Sequence, residues 1–127
     1  MFAIKKGGNM GLFDLWREAR GSVMRQELED IMLRVRNANE SATRAYFNNI
    51  YQTIGPLKEM YGNASTGERK ALMKQSRKSA DQMWSSGDWP SSLGLGISLL
   101  NVESEYVPGD EAAFVKVETD KIIAEAA

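Results

Sequence analysis

Apolar residues recur along most of this chain at the three- and four-residue steps of an α-helix, with polar residues between them. From Met10 to Arg20 the apolar positions Leu12, Leu15, Trp16 and Ala19 share one face, and Phe13 widens it. Gly21 permits a break after that helix, and Ser22 can cap the next one. A second helix is then expected to run unbroken from about 22 to 54. Its Leu28, Ile31, Val35, Ala38, Ala42 and Ala45 keep the spacing of a heptad seam that begins large and ends small. Beyond Ala45 the stripe moves to Phe47, Ile50, Ile54 and Leu57, which calls for a second packing partner or a kink. Asn37, Asn39, Asn48 and Asn49 lower helix propensity in the middle of this stretch. Gly55-Pro56 is expected to end it, because proline has no N–H and disfavours helix before it. Leu57 to Tyr61 adds one further turn.

Ser65-Thr66-Gly67-Glu68 has the form of a capping box and predicts the start of a third helix, which runs to about Ser85. Leu72, Ser76, Ala80 and Met83 form its inner face, with Lys70, Lys74, Arg77 and Lys78 roughly opposite. Ser86 to Pro90 reads as a turn, after which Ser91 or Ser92 can cap a fourth helix reaching about Tyr106. Two patterns compete in that segment. Leu93, Leu95, Ile97 and Leu99 alternate like a strand, whereas Leu93, Ile97, Leu100 and Val107 fit a helix. The helix is the preferred reading, since no second strand exists for pairing. Pro108-Gly109-Asp110 is a turn ending in an N-cap. The last helix carries Ala112, Val115, Thr119, Ile122 and Ala126 on one face, and it forms an antiparallel hairpin with the fourth.

These elements predict an all-α fold, an irregular bundle of four to five helices built around one long helix at about 22–54. Unbroken, that helix would span roughly 50 Å. It would outrun the short helices that could cover it, so its seam is expected to meet a copy of itself or another protein. Residues 10–127 are read as a single helical domain, which a chain of 127 residues is long enough to support with one core. Residues 1–9 are read as a disordered extension or as upstream sequence. Lys5-Lys6-Gly7-Gly8-Asn9-Met10 can be encoded by AAA-GGA-GGT-AAC-ATG, a purine-rich ribosome-binding site ahead of a start codon. On that reading Met10 rather than Met1 is the native start and the gene is bacterial or from a phage.

Composition narrows the chemistry. The chain has no cysteine, which excludes disulfides and thiolate metal sites. It has no histidine either, so the commonest neutral-pH base and the commonest metal ligand are missing. No secretion signal or membrane-spanning run is visible, and a cytoplasmic location is expected. The sequons at Asn39 and Asn63 are accordingly read as chance.

No motif for catalysis is complete. Gly62 to Gly67 has the spacing of a phosphate-binding loop, but Glu68 and Arg69 stand where lysine and a hydroxyl are needed. Glu27 and Asp30 share a helix face as a magnesium-dependent hydrolase requires, yet no second carboxylate pair accompanies them. The serines lack a histidine partner. No catalytic residue, cofactor or metal is assigned.

Binding is the remaining reading. The expected function is a non-enzymatic protein–protein interaction module, an adaptor, assembly factor or regulatory subunit that buries apolar helix faces on a partner or on itself. Leu12, Phe13, Trp16, Leu28, Ile31, Val35, Ala38, Ala42, Ala45, Trp84 and Trp89 are the candidate interface. One alternative is a peripheral membrane contact through the aromatic first helix. A second is nucleic-acid binding by a basic face of Arg69, Lys70, Lys74, Arg77 and Lys78. Against the latter stand a net charge of -1 and a tail from Glu103 with seven acids to two bases. A carboxylate-dependent nucleotide hydrolase is the third.

Overall fold

The computed structural model describes residues 12–127, with side chains from residue 19 onward. Five helices and no strand make up the described residues: α1 (Leu12–Arg36), α2 (Glu40–Gly62), α3 (Thr66–Ser85), α4 (Trp89–Ser104) and α5 (Asp110–Ala126). The fold is an all-α bundle. The choice between Met1 and Met10, and the side chains of Leu12, Phe13 and Trp16, lie outside the described residues.

α4 is the axis of the bundle. It packs against each of the other four helices. Eleven of its sixteen residues are buried, as expected of a helix that is apolar on more than one side. Leu93, Ile97 and Leu100 join one core with Met24, Leu28, Tyr46, Ile50, Val115 and Ile122. Leu95, Leu99 and Val102 join another with Leu57 and Tyr61, covered by Leu72, Met73 and Met83 of α3. The strand-like alternation at 93–99 therefore belongs to a helix. Successive odd positions fall on opposite faces, and each face has its own core.

Contacts fix the direction of each helix. Arg20 meets Glu103 while Ile31 meets Gly96, so α1 runs antiparallel to α4. Thr53 meets Ser98 while Tyr46 meets Gly94, so α2 runs parallel to it. Arg77 meets Glu103 while Ala80 meets Ser92, and Asp120 meets Asn101 while Lys116 meets Glu105, so α3 and α5 are antiparallel to it. The expected α4–α5 hairpin is present, and the helices alternate up and down along the chain.

Several expected boundaries are corrected. Gly21 does not break the first helix. It is buried where α1 crosses α5, and a Cβ there would stand 3.1 Å from Glu111 Cβ and 3.3 Å from Ala112 N. The long helix at 22–54 is two helices, separated at Asn37–Asn39. Asn39 caps α2 by accepting from Ala42 N at 2.8 Å, and Asn37 Nδ2 donates to the Leu33 carbonyl. Asparagine offers the backbone such local partners, and here they win over a continuous helix. The expected seam is divided accordingly: Leu28 and Ile31 are buried in the core, Ala38 lies in the turn, Ala42 is half-buried and Ala45 is exposed.

Gly55-Pro56 does not end α2, which continues to Gly62. The pre-proline clash involves the preceding Cβ, and glycine has none. Gln52, Gly55 and Pro56 lie on the outer side of α2, so the carbonyl deprived of its donor is near water, while Leu57 and Tyr61 hold the next turns in the core. α4 begins at Trp89 rather than after Ser91 or Ser92. Asp88 is its N-cap, and Pro90 sits in the first turn, where no N–H is needed. Asp110 is the first residue of α5, and the cap position is Gly109, whose φ of 112° suits glycine.

The capping box of α3 forms as expected. Ser65 N donates to Glu68 Oε1 at 2.8 Å, and Glu68 N donates to Ser65 Oγ at 3.3 Å. Ala112, Val115, Thr119 and Ile122 of α5 are buried, also as expected.

Candidate functional site

α5 packs against both α1 and α2, but α1 and α3 barely touch. One side of α4 is therefore left as a groove. Gly96, Leu99 and Leu100 form its floor, with Ile31 and Ala80 beside them. Glu27 on the α1 side and Arg77 and Asp81 on the α3 side form its charged edges, around a cavity of about 200 Å³. Gly96 keeps the floor low, since a Cβ there would stand 3.0 Å from Ile31 Cδ1.

Helical spacing explains which side chains meet here. Arg20, Glu27 and Arg34 recur at seven-residue steps on α1, and Arg77, Asp81 and Trp84 at four- and three-residue steps on α3. The two stripes are bridged at two places. At one, Arg77 donates to both oxygens of Glu27, at 2.7 and 3.3 Å, and to Glu103 at 3.0 Å. Glu103 in turn receives Arg20 through two bonds of 2.6 Å. Burial works against the Arg77 guanidinium, but Glu27 and Glu103 outweigh it and hold its pKa above the ordinary arginine value. At the other bridge, Arg34 lies over the Trp84 ring, 4.9 Å from its centroid.

Two arginines and two glutamates thus neutralise one another and tie α1, α3 and α4 together. A carboxylate engaged by guanidinium groups is a poor metal ligand, and Asp30, its neighbour on α1, is exposed and reaches only Gln26. Among the described residues no three acidic side chains converge as a metal-binding set.

The other sequence-predicted residues are scattered. Val35 and Trp89 are half-buried against the core, while Leu28 and Ile31 are fully within it. Trp84 is 44% exposed. The five-residue basic face is corrected to a smaller one. Arg77 turns inward to Glu27 and Glu103. Arg69 is half-buried, donates to the Tyr61 carbonyl at 3.0 Å and stacks on Tyr106. Lys70, Lys74 and Lys78 remain exposed, and none of the ten ion pairs among the described residues involves them.

Sequence reasoning missed Arg20, Arg34, Asp81 and Glu103. A signal for the last was present: Glu103 is the only charged residue within α4. A lone acid in an apolar helix has to find a cation inside the fold.

No protein-family model, curated protein or solved structure matches this chain. No helix among the described residues is long and apolar enough to cross a membrane.

Proposed function

We propose that this protein is a non-enzymatic interaction module that receives a partner protein in the groove between α1 and α3. The observation that carries this reading is the groove itself. An apolar floor is ringed by charged side chains, with a half-exposed tryptophan held under an arginine at its edge. Protein interfaces have this anatomy, an apolar centre within a polar rim, and tryptophan and arginine are enriched among the residues that carry binding energy. The expected function is kept, but the surface assigned to it changes. The groove replaces the heptad seam, whose large residues Leu28 and Ile31 are occupied by the chain's own core.

The test is affinity capture of the full chain from its native cells with quantitative mass spectrometry. Trp84→Ala, at the Arg34 bridge across the groove, and Asp81→Ala, in its lining, replace exposed residues, so the fold tolerates them. Tyr51→Ser, on an exposed face of α2, is the control. A partner retained by wild type and the control but lost from both groove variants is the expected result. A partner set indifferent to the groove variants overturns the proposal.

A further inference from the structure

We infer that α3 is a hinged cover that lifts from α4 as a unit, and that the bridge from Arg77 to Glu27 is the latch holding it down. It rests on the interaction reading and adds how the groove opens. Burial sets α3 apart. It packs against α4 and at most grazes the other helices, and none of its residues is fully buried. Each of the other four helices places several residues in the core. Leu72, Met73, Ala80 and Met83 of α3 are only half-buried where they cover the second core. A helix with so few buried apolar contacts belongs to the part of a fold that opens most readily. Beside Ser76 of α3, the Tyr61 hydroxyl is shut in without a hydrogen bond, a cost that water removes once the helix lifts.

The ends of α3 suit such a movement. Three-residue turns, 63–65 and 86–88, join it to α2 and α4, enough to absorb the backbone change of a hinge. Its capping box is made by Ser65 and Glu68, so its N-terminus stays capped when it moves. What crosses to α1 is an ion pair and a cation–π contact. Arg77 and Glu27 meet at 2.7 Å with side chains 34% and 35% exposed, so water and salt weaken the pair. Arg34 over Trp84 is the second tie. Glu27 and Arg34 stand two turns apart on α1, as do Arg77 and Trp84 on α3. The ties are thus two rungs, with Ile31, Ala80 and Asp81 of the cavity lining between them. Closed, the cavity of about 200 Å³ is below the ~300–1,000 Å³ of ordinary ligand sites. Lifting α3 uncovers Leu95, Leu99 and Val102 with Leu57 and Tyr61, an apolar surface on which a partner can seat.

The test uses the full chain without a partner. Native-state hydrogen exchange is followed helix by helix in wild type, Glu27→Gln and Val115→Ala. The expected result is α3 exchanging as a block, at least about tenfold faster than the buried amides of α4 and α5. Glu27→Gln should speed α3 about threefold. Val115→Ala weakens the first core, so it should speed α4 and α5 and leave α3 unchanged. The chain has no cysteine, so Val102→Cys gives a single thiol in the second core, which should be labelled at the α3 rate. If α3 exchanges with α4 and speeds with it in Val115→Ala, the bundle is one cooperative unit and the cover is overturned. Fast exchange of α3 that ignores Glu27→Gln overturns the latch, and a thiol labelled only on global unfolding overturns the uncovering of the second core. None of these results touches the interaction reading, which capture with Trp84→Ala and Asp81→Ala decides separately.

Discussion

Glu103 accepts both hydrogen-bonding arms of Arg20 at 2.6 Å, joining the N-terminal half of α1 to the last turn of α4. Its side chain is only 14% exposed, and Arg77 shares one of its oxygens. Removing the charge leaves two partly buried guanidinium groups with Glu27 as their one shared counter-ion. Glu103→Gln is therefore expected to destabilise the fold by about 2–3 kcal/mol. Glu40→Gln, which breaks the exposed pair with Arg44, should cost under about 0.5 kcal/mol. Urea unfolding of the two variants at neutral pH checks the contrast, and equal losses would refute it.

Gly94 lies at a close approach of α2 and α4. A Cβ there would stand 2.7 Å from the Tyr46 carbonyl oxygen and 2.9 Å from Asn49 Cβ, so backbone as well as side chain must move. Gly94→Ala is expected to cost about 1–3 kcal/mol despite alanine's better helix propensity. Gly67, in the first turn of α3, has open space around it, and Gly67→Ala should stabilise by about 0.5 kcal/mol. Thermal melts of the two variants should move in opposite directions.

Tyr61 is buried in the second core, and its hydroxyl makes no hydrogen bond. Ser76 lies beside it but outside bonding geometry. Burial pushes the hydroxyl up to about 12, and burial raises Tyr46 further still. Between about pH 10 and 12 the unfolded chain has lost protons that the folded one keeps, so stability falls as pH rises. Each such tyrosine contributes a slope of about 1.4 kcal/mol per pH unit in that window. Tyr61→Phe should flatten the alkaline limb of a stability–pH curve and leave stability at pH 7 unchanged or higher, since no bond is lost. An unchanged limb would contradict the placement.

Asn39 ends the continuity that the helical periodicity of 22–54 would otherwise allow. Its side chain satisfies the Ala42 N–H, and its backbone carbonyl accepts from the Thr43 hydroxyl. Asn39→Ala is expected to cost about 1 kcal/mol, as for other N-caps. Hydrogen exchange should show faster opening in the first turn of α2, with α3 and α4 unaffected.

Features that depend on near neighbours in the chain are legible in the residues themselves. The Ser65–Glu68 box closes within four residues, and the α5 stripe from Ala112 to Ile122 needs only helical spacing. Gly21 and Gly55-Pro56 mislead because each is ordinarily a breaker. One is kept helical by a crossing helix, and the other by an outward-facing turn and a glycine without a Cβ. The candidate site is legible only in pieces. Trp84 stands out by residue type. Arg77 reads as one more solvated cation, since nothing local ties it to Glu27, fifty residues away, or to Glu103.

Helicity, the start of α3, the buried face of α5 and the absence of cysteine and histidine chemistry all follow from the amino-acid order alone. They rest on capping, periodicity and composition, which act over a few residues or none. The central place of α4 is a product of packing. An apolar helix with two opposite faces alternates like a strand on paper, and only two separate cores explain it. Packing also keeps α1 and α3 apart. Their facing stripes carry charges and a tryptophan in place of an apolar seam, and whether such stripes close on each other or leave a groove depends on the helix beneath them.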